Sequence, residues 1–181
     1  MYESLLGKLA KALQQAGIPY MVIGGQAVLQ YGEPRLTRDI DITLGVDVDR
    51  LASVLSLLQE NGLHPAVKDV EAFVGKTNVL PATDGATGVR VDLLFSFSPY
   101  EREAILRAKP VQVNDHQVQY ASLEDIIIHK IVAGRPRDLD DVKGVVARNK
   151  GYDAEYVHKW LRTLGESLAL DLVARLQDVT Q

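Results

Sequence analysis

The chain has 181 residues, 46% of them hydrophobic and 24% charged, with a net charge of −4 and no cysteine. That length buries one core, or one core with a small appendage, and the lack of cysteine excludes a disulfide framework and any cysteine-ligated zinc site. No run of about 20 apolar residues exists to cross a bilayer, and the acidic balance would require any nucleic-acid partner to find a local basic patch.

The opening MYESLLGKLAKALQQAG carries charges throughout and reads as an amphipathic helix, not as a signal peptide. Together with the absence of cysteine, this sets the expectation of a cytoplasmic protein. Leu5, Leu6, Leu9 and Leu13 share the apolar face of that helix, over 3–15, and Gly17-Ile18-Pro19 stops it. A short strand over 20–23, a helix over 26–31, a loop over 32–38 and a strand over 39–44 follow. Leu51, Val54, Leu55 and Leu58 mark a helix over 48–61 closed by Gly62. Strands are predicted near 64–67, 71–80 and 89–95, with ATDGATG at 82–88 as a turn by composition. A helix over 99–108 leads to strands over 110–113 and 117–120 that flank a turn at Asn114-Asp115. From Ser122 onward the chain reads as helices over 122–133, 137–149, 153–164 and 167–178. The expected class is α+β. A mixed core over 1–121 is followed, across a soft boundary, by a helical part over 122–181 packed on it.

One stretch does not fit a purely structural reading. In VIGGQAVLQYGEPRLTRDIDITLG, an apolar strand runs into Gly24-Gly25, and after an arginine-containing loop comes Asp39-Ile40-Asp41-Ile42. Alternate strand residues share a face, so Asp39 and Asp41 point one way while Ile40 and Ile42 point into the opposite core. Two like charges side by side repel and resist desolvation. A divalent cation resolves that conflict, and Mg²⁺ takes oxygen ligands, often one or two carboxylates plus substrate phosphates. The plainer reading is a solvated edge strand. The flank argues against it, because Gly24-Gly25 between a strand and a helix start can offer backbone N–H groups to a phosphate. Neither a P-loop nor a dinucleotide fingerprint is present.

The order Ile23-Gly24-Gly25, thirteen residues, then Asp39-Ile40-Asp41-Ile42 resembles the signature of the nucleotidyltransferase superfamily with the DNA polymerase β-like fold. The resemblance implies a small mixed sheet flanked by helices, with helices appended at the C-terminus. It also implies a third carboxylate from a later strand, for which Asp92 in VRVDLLFS is the candidate, the plainer reading being a satisfied buried acid at a strand end. The implied chemistry is transfer of a nucleoside monophosphate from an NTP, with two Mg²⁺ ions about 3.5–4 Å apart stabilising an in-line displacement. Asp39, Asp41 and Asp92 would be the metal ligands, Asp92 would also help deprotonate the acceptor hydroxyl, and Gly24 and Gly25 would contact the triphosphate. Arg35 and Arg38, in EPRLTRDID, either bind phosphate oxygens or offset the aspartates as surface ion pairs.

A second stretch, SLEDIIIHKIVAGRPRDLDDV over 122–142, begins with an N-cap pair, Ser122 and Asp125. Lys130 falls in the middle of an apolar helical stripe, so it either snorkels to an edge or meets a negative partner, a triphosphate or a structural acid. Asp138 and Asp141 share a side with Val142 and Val145, while Asp140 faces elsewhere. Asp138 also lies in a first helical turn, where an acid suits the helix dipole. The run Lys130, Arg135, Arg137, Asp138 and Asp141 is similar to that of AbiEii-like nucleotidyltransferases, which include toxins of toxin–antitoxin systems, and of minimal nucleotidyltransferases paired with a helical partner. That similarity implies that Lys130 and Asp141 belong to the catalytic set. The acceptor stays open between tRNA, a protein hydroxyl and a small molecule such as an aminoglycoside, as does a cognate toxin or antitoxin partner, and the last two helices either dock on the core or form a dimer face. The competing reading is a nucleotide- or partner-binding module on the same fold, an antitoxin or regulatory subunit with little catalysis. The four histidines, at 64, 116, 129 and 158, show no metal-ligand spacing.

Overall fold

The computed structural model describes residues 2–96 and 98–181. The chain forms two compact units, one from Met1–Gln26 and Thr37–Ala121, the other from Ala27–Leu36 and Ser122–Gln181.

The first unit holds a seven-stranded mixed sheet. In chain order it contains α1 (Tyr2–Gln15), β1 (Tyr20–Ile23), the start of α2 (Gly24–Tyr31), β2 (Asp39–Leu44) and a 3₁₀ turn (Val48–Arg50). Then come α3 (Leu51–Glu60), β3 (Leu63–Pro65), α4 (Val70–Thr77), β4 (Val79–Asp84), β5 (Arg90–Phe95), α5 (Pro99–Leu106), β6 (Lys109–Val113) and β7 (His116–Tyr120). The spatial order is β3-β4-β5-β2-β1-β7-β6. β2 runs parallel to β5 and antiparallel to β1, and β1 runs parallel to β7. This mixed sheet with helices confirms the expected α+β class.

The strands obey the alternation that their sequences carry. Ile40, Ile42, Val91 and Leu93 are all at most 1% exposed and belong to the core face of β2 and β5. Leu9 and Leu13 of α1 are fully buried, and each such leucine contributes about 1.5–3 kcal/mol relative to an exposed one. Tyr20 ties two strands together, with its hydroxyl accepting from the Gln119 backbone N–H at 3.2 Å.

The predicted strand over 71–80 is a correction. Residues 70–77 are helical, and the strand there, β4, begins only at Val79. Asp69 caps the helix by accepting from the Ala72 N–H at 3.1 Å, and Asn78 ends it in the left-handed conformation at φ 55°. Val70, Phe73 and Val74 suggest a strand by residue type, but the caps at both ends and the spacing of Val70 and Val74 decide for a helix. The turn predicted over 82–88 is likewise shorter, because β4 extends to Asp84. Asp84 then organises the turn, accepting from the Thr87 N–H at 2.9 Å and the Thr87 hydroxyl at 2.6 Å.

The second unit is helical: the rest of α2, then α6 (Leu123–Ala133), α7 (Pro136–Arg148), α8 (Ala154–Leu168) and α9 (Leu172–Thr180). Ser122 caps α6 by accepting from the Asp125 N–H at 3.2 Å. The fully buried Asp125 carboxylate accepts from the Ser122 hydroxyl at 2.6 Å and from the Tyr156 hydroxyl at 3.0 Å, which pins α8 to α6. Ile126, Ile127, Ile128 and Ile131 are fully buried.

Candidate active site

The parallel pairing of β2 and β5 sets Asp39 opposite Arg90 and Asp41 opposite Asp92. Because side chains alternate along both strands, Asp39, Asp41, Arg90 and Asp92 occupy one face. The sheet thereby brings together the three carboxylates expected to act as metal ligands. Burial grades along the row: Asp39 is exposed, while Asp41 and Asp92 are partly buried. Further along β2 on the same side, Thr43 is buried, with its hydroxyl lacking a hydrogen-bond partner among the described residues.

β1 pairs Ile23 with Asp41, so the residue after Ile23 emerges beside that carboxylate. That residue, Gly24, begins α2 at φ 64°. A Cβ added there would collide with Asp41 Oδ2 and lie 2.8 Å from its Cγ. The glycine thus serves two needs, a left-handed conformation and a close approach of backbone to carboxylate. Gly25, the second helical residue, is buried.

Arg90 was not expected from the sequence, although the period-two spacing of Arg90 and Asp92 in VRVD carried the signal. Its guanidinium grips Asp92 with two prongs, Nε to Oδ1 at 3.1 Å and Nη2 to Oδ2 at 3.1 Å. That hydrogen-bonded pair raises the Arg90 pKa above the ordinary value, and the charges of Asp39 and Asp41 add to the effect. Among the described residues, no three His, Cys, Asp or Glu side chains converge as a ready-made metal cage. The donor chemistry nevertheless fits a hard divalent ion: three carboxylates on one face of two adjacent strands, with one of them occupied by an arginine.

The second unit contains a charge network of its own. Lys130 is only 6% exposed, and its Nζ lies 2.7 Å from Asp138 Oδ1 and 3.0 Å from Asp141 Oδ2. Asp141 is also gripped by Arg35, with Nε at 2.9 Å from Oδ1 and Nη2 at 3.0 Å from Oδ2. Asp138 accepts from Arg135 Nε at 2.6 Å. Burial pushes the Asp138 pKa up, but the hydrogen bonds from Arg135 and Lys130 outweigh it, and the carboxyl sits below the usual carboxylate range. Asp138 and Asp141 are buried and Asp140 is exposed. Lys130 therefore has acidic partners within its own unit, and Arg35 is fixed by one of them. Arg38, in the first unit, is exposed, and its carbonyl accepts from the Tyr2 hydroxyl at 3.3 Å.

The chain belongs to the family described as uncharacterised nucleotidyltransferases, whose model matches residues 1–179. It is similar in fold to an antigenic nucleotidyltransferase-like protein from Paracoccidioides brasiliensis, with TM-score 0.60, 17% identity, and coverage of 97% of this chain and 91% of the other. It is similar to the enzyme ANT(2″)-Ia in complex with adenylyl-2″-tobramycin, with TM-score 0.55, 16% identity, and coverage of 98% and 96%. A lincomycin-bound lincosamide antibiotic adenylyltransferase, LnuA, matches with TM-score 0.55, 16% identity, and coverage of 78% and 94%. No curated protein matches the chain in sequence. Family membership makes the protein a nucleotidyltransferase enzyme.

Proposed function

We propose that the protein transfers a nucleoside monophosphate from an NTP to the hydroxyl of a small molecule, with Mg²⁺ held by Asp39, Asp41 and Asp92. The observation that carries this reading is the in-register row of the three carboxylates with Gly24 set against Asp41. When bound, Mg²⁺ would offset the charge that builds on the triphosphate oxygens during displacement. Asp39 and Asp41 hold the metal side of the site. The backbone N–H groups at Gly24 and Gly25 receive the triphosphate at the start of α2. Asp92 accepts the proton of the attacking hydroxyl. As that oxygen bonds to the α-phosphorus, the bond to the bridging oxygen breaks and pyrophosphate leaves. Arg38 is assigned to phosphate oxygens, while Arg35, Lys130 and Asp141 support the second unit through their shared ion network.

Two observations favour a small acceptor over RNA. The chain carries net charge −4, and electrostatic attraction to RNA needs a basic surface. Two structural neighbours are described with tobramycin and lincomycin, both small hydroxylated molecules. A toxin–antitoxin role, with tRNA or protein as acceptor, rests on the Lys130-to-Asp141 run alone.

The reading is tested by melting the protein against the four nucleoside triphosphates with and without Mg²⁺, since a ligand that binds only the folded state raises the melting temperature. The expected result is a Mg²⁺-dependent rise with at least one triphosphate, abolished in Asp41→Asn. No rise with any triphosphate would favour the partner-binding form of the alternative.

A further inference from the structure

We infer that Arg90 is a built-in counterion that occupies Asp92 until a divalent cation displaces it, and that the freed guanidinium then binds the incoming triphosphate. The inference rests on the metal reading above and adds an order to it.

The geometry is asymmetric. Both oxygens of Asp92 are engaged by Arg90, at 3.1 Å each. The two prongs take one lone pair on each oxygen and set a positive charge against the carboxylate, so a cation that approaches Asp92 competes with the guanidinium for it. The Asp92 side chain is 17% exposed and that of Arg90 61% exposed, so the arginine is the partner with room to leave. Arginine keeps its charge at every working pH, so the exchange cannot be achieved by deprotonation and must be driven by a competing cation. An exposed ion pair of this kind is weak and screened, whereas a divalent ion engages several carboxylates at once.

Where the guanidinium goes follows from the register. Arg90 stands opposite Asp39 on the same face as the other acids. Once released, its planar donor fork suits a phosphate oxygen pair. The metal thus opens a phosphate contact, and the phosphate stabilises the released arginine. Reciprocal coupling follows: each ligand raises the affinity for the other by the same factor.

The test is a Mn²⁺ titration followed by the electron paramagnetic resonance of free Mn²⁺, with and without inorganic tripolyphosphate. It is run on the parent, Arg90→Gln, Arg90→Lys and Asp92→Asn, each checked for folding by circular dichroism. Without phosphate, Arg90→Gln should bind Mn²⁺ about two- to fivefold tighter than the parent, the range an exposed ion pair can mask. Arg90→Lys should fall between the two. Tripolyphosphate should tighten Mn²⁺ binding in the parent more than in Arg90→Gln. If the parent binds Mn²⁺ and Asp92→Asn weakens it, but Arg90→Gln binds no tighter than the parent, the counterion role is wrong and the metal site stands. If the parent binds no Mn²⁺ at all, the metal reading itself falls and takes this inference with it.

Discussion

Gly24 stands at φ 64°, with Asp41 directly against the place a Cβ would take. Gly17 has the same φ, but among the described residues nothing lies within 4 Å of its added Cβ. The pair separates backbone strain from collision. Gly17→Ala should cost only the left-handed penalty, about 1–2 kcal/mol, which lowers the melting temperature by about 2–8 °C in a chain of this size. Gly24→Ala should cost more, because the methyl also displaces the Asp41 carboxylate, and it should abolish any Mg²⁺-dependent triphosphate shift that Gly17→Ala retains. Equal melting losses in the two variants would show that Asp41 yields freely. The two aspartates of Asp39-Ile40-Asp41 and the glycine pair were legible as single residues because their types are costly in a strand without a purpose. Arg90 was harder to single out, since a lone arginine at a strand start is cheap, and its period-two spacing from Asp92 gains meaning through the two-pronged contact.

Most elements could be read from apolar periodicity and end signals. Asp39–Leu44 alternates acids with isoleucines, and the strand is found at those bounds. The misread element is α4, where Val70, Phe73 and Val74 drew a strand prediction and the structure forms a helix. Residue preference is a weak guide over eight residues, and cap chemistry won: Asp69 satisfies an otherwise orphaned N–H, and Asn78 tolerates the left-handed turn. Only Val74 of this helix is buried, so packing contributes little and the cap carries a larger share of its stability. Asp69→Ala should therefore cost about 1 kcal/mol, read as a drop in the urea midpoint with an unchanged slope. No drop would mean the helix is held from elsewhere. The register that brings Asp92 beside Asp41 was beyond reach at this scale, because the parallel pairing of β2 with β5 spans residues far apart in the chain. Sequence spacing alone does not choose a strand's neighbour.

At the scale of the whole molecule, net charge −4 conceals two carboxylates that the fold holds well ionised, one in each unit. Burial pushes the Asp84 pKa up, but hydrogen bonds from the Thr87 side chain and backbone and the charge of Lys8 bring it below its ordinary value. Asp138 is lowered against burial in the same way by Arg135 and Lys130. A carboxyl whose folded pKa lies below its unfolded value binds its proton more weakly when folded. The stability it contributes is fully present above the unfolded pKa and is lost as pH falls through the folded one. Both groups start from 3.8, so the loss falls below about pH 4. The same groups predict no change across the neutral range. Urea midpoints measured from pH 7 to pH 2 should hold steady and then fall steeply at the acid end. Asp138→Asn removes one of the two contributions and leaves Lys130 and Arg135 with less compensation. It should cost about 1–3 kcal/mol at pH 7, the penalty for a buried polar group that loses its partner. Its acid limb should be shallower than the parent's, so that the two stability curves converge as pH falls. Curves that stay parallel down to pH 2 would mean that Asp138 has the same pKa folded and unfolded, and that the Lys130 network stabilises the second unit by packing, not by charge.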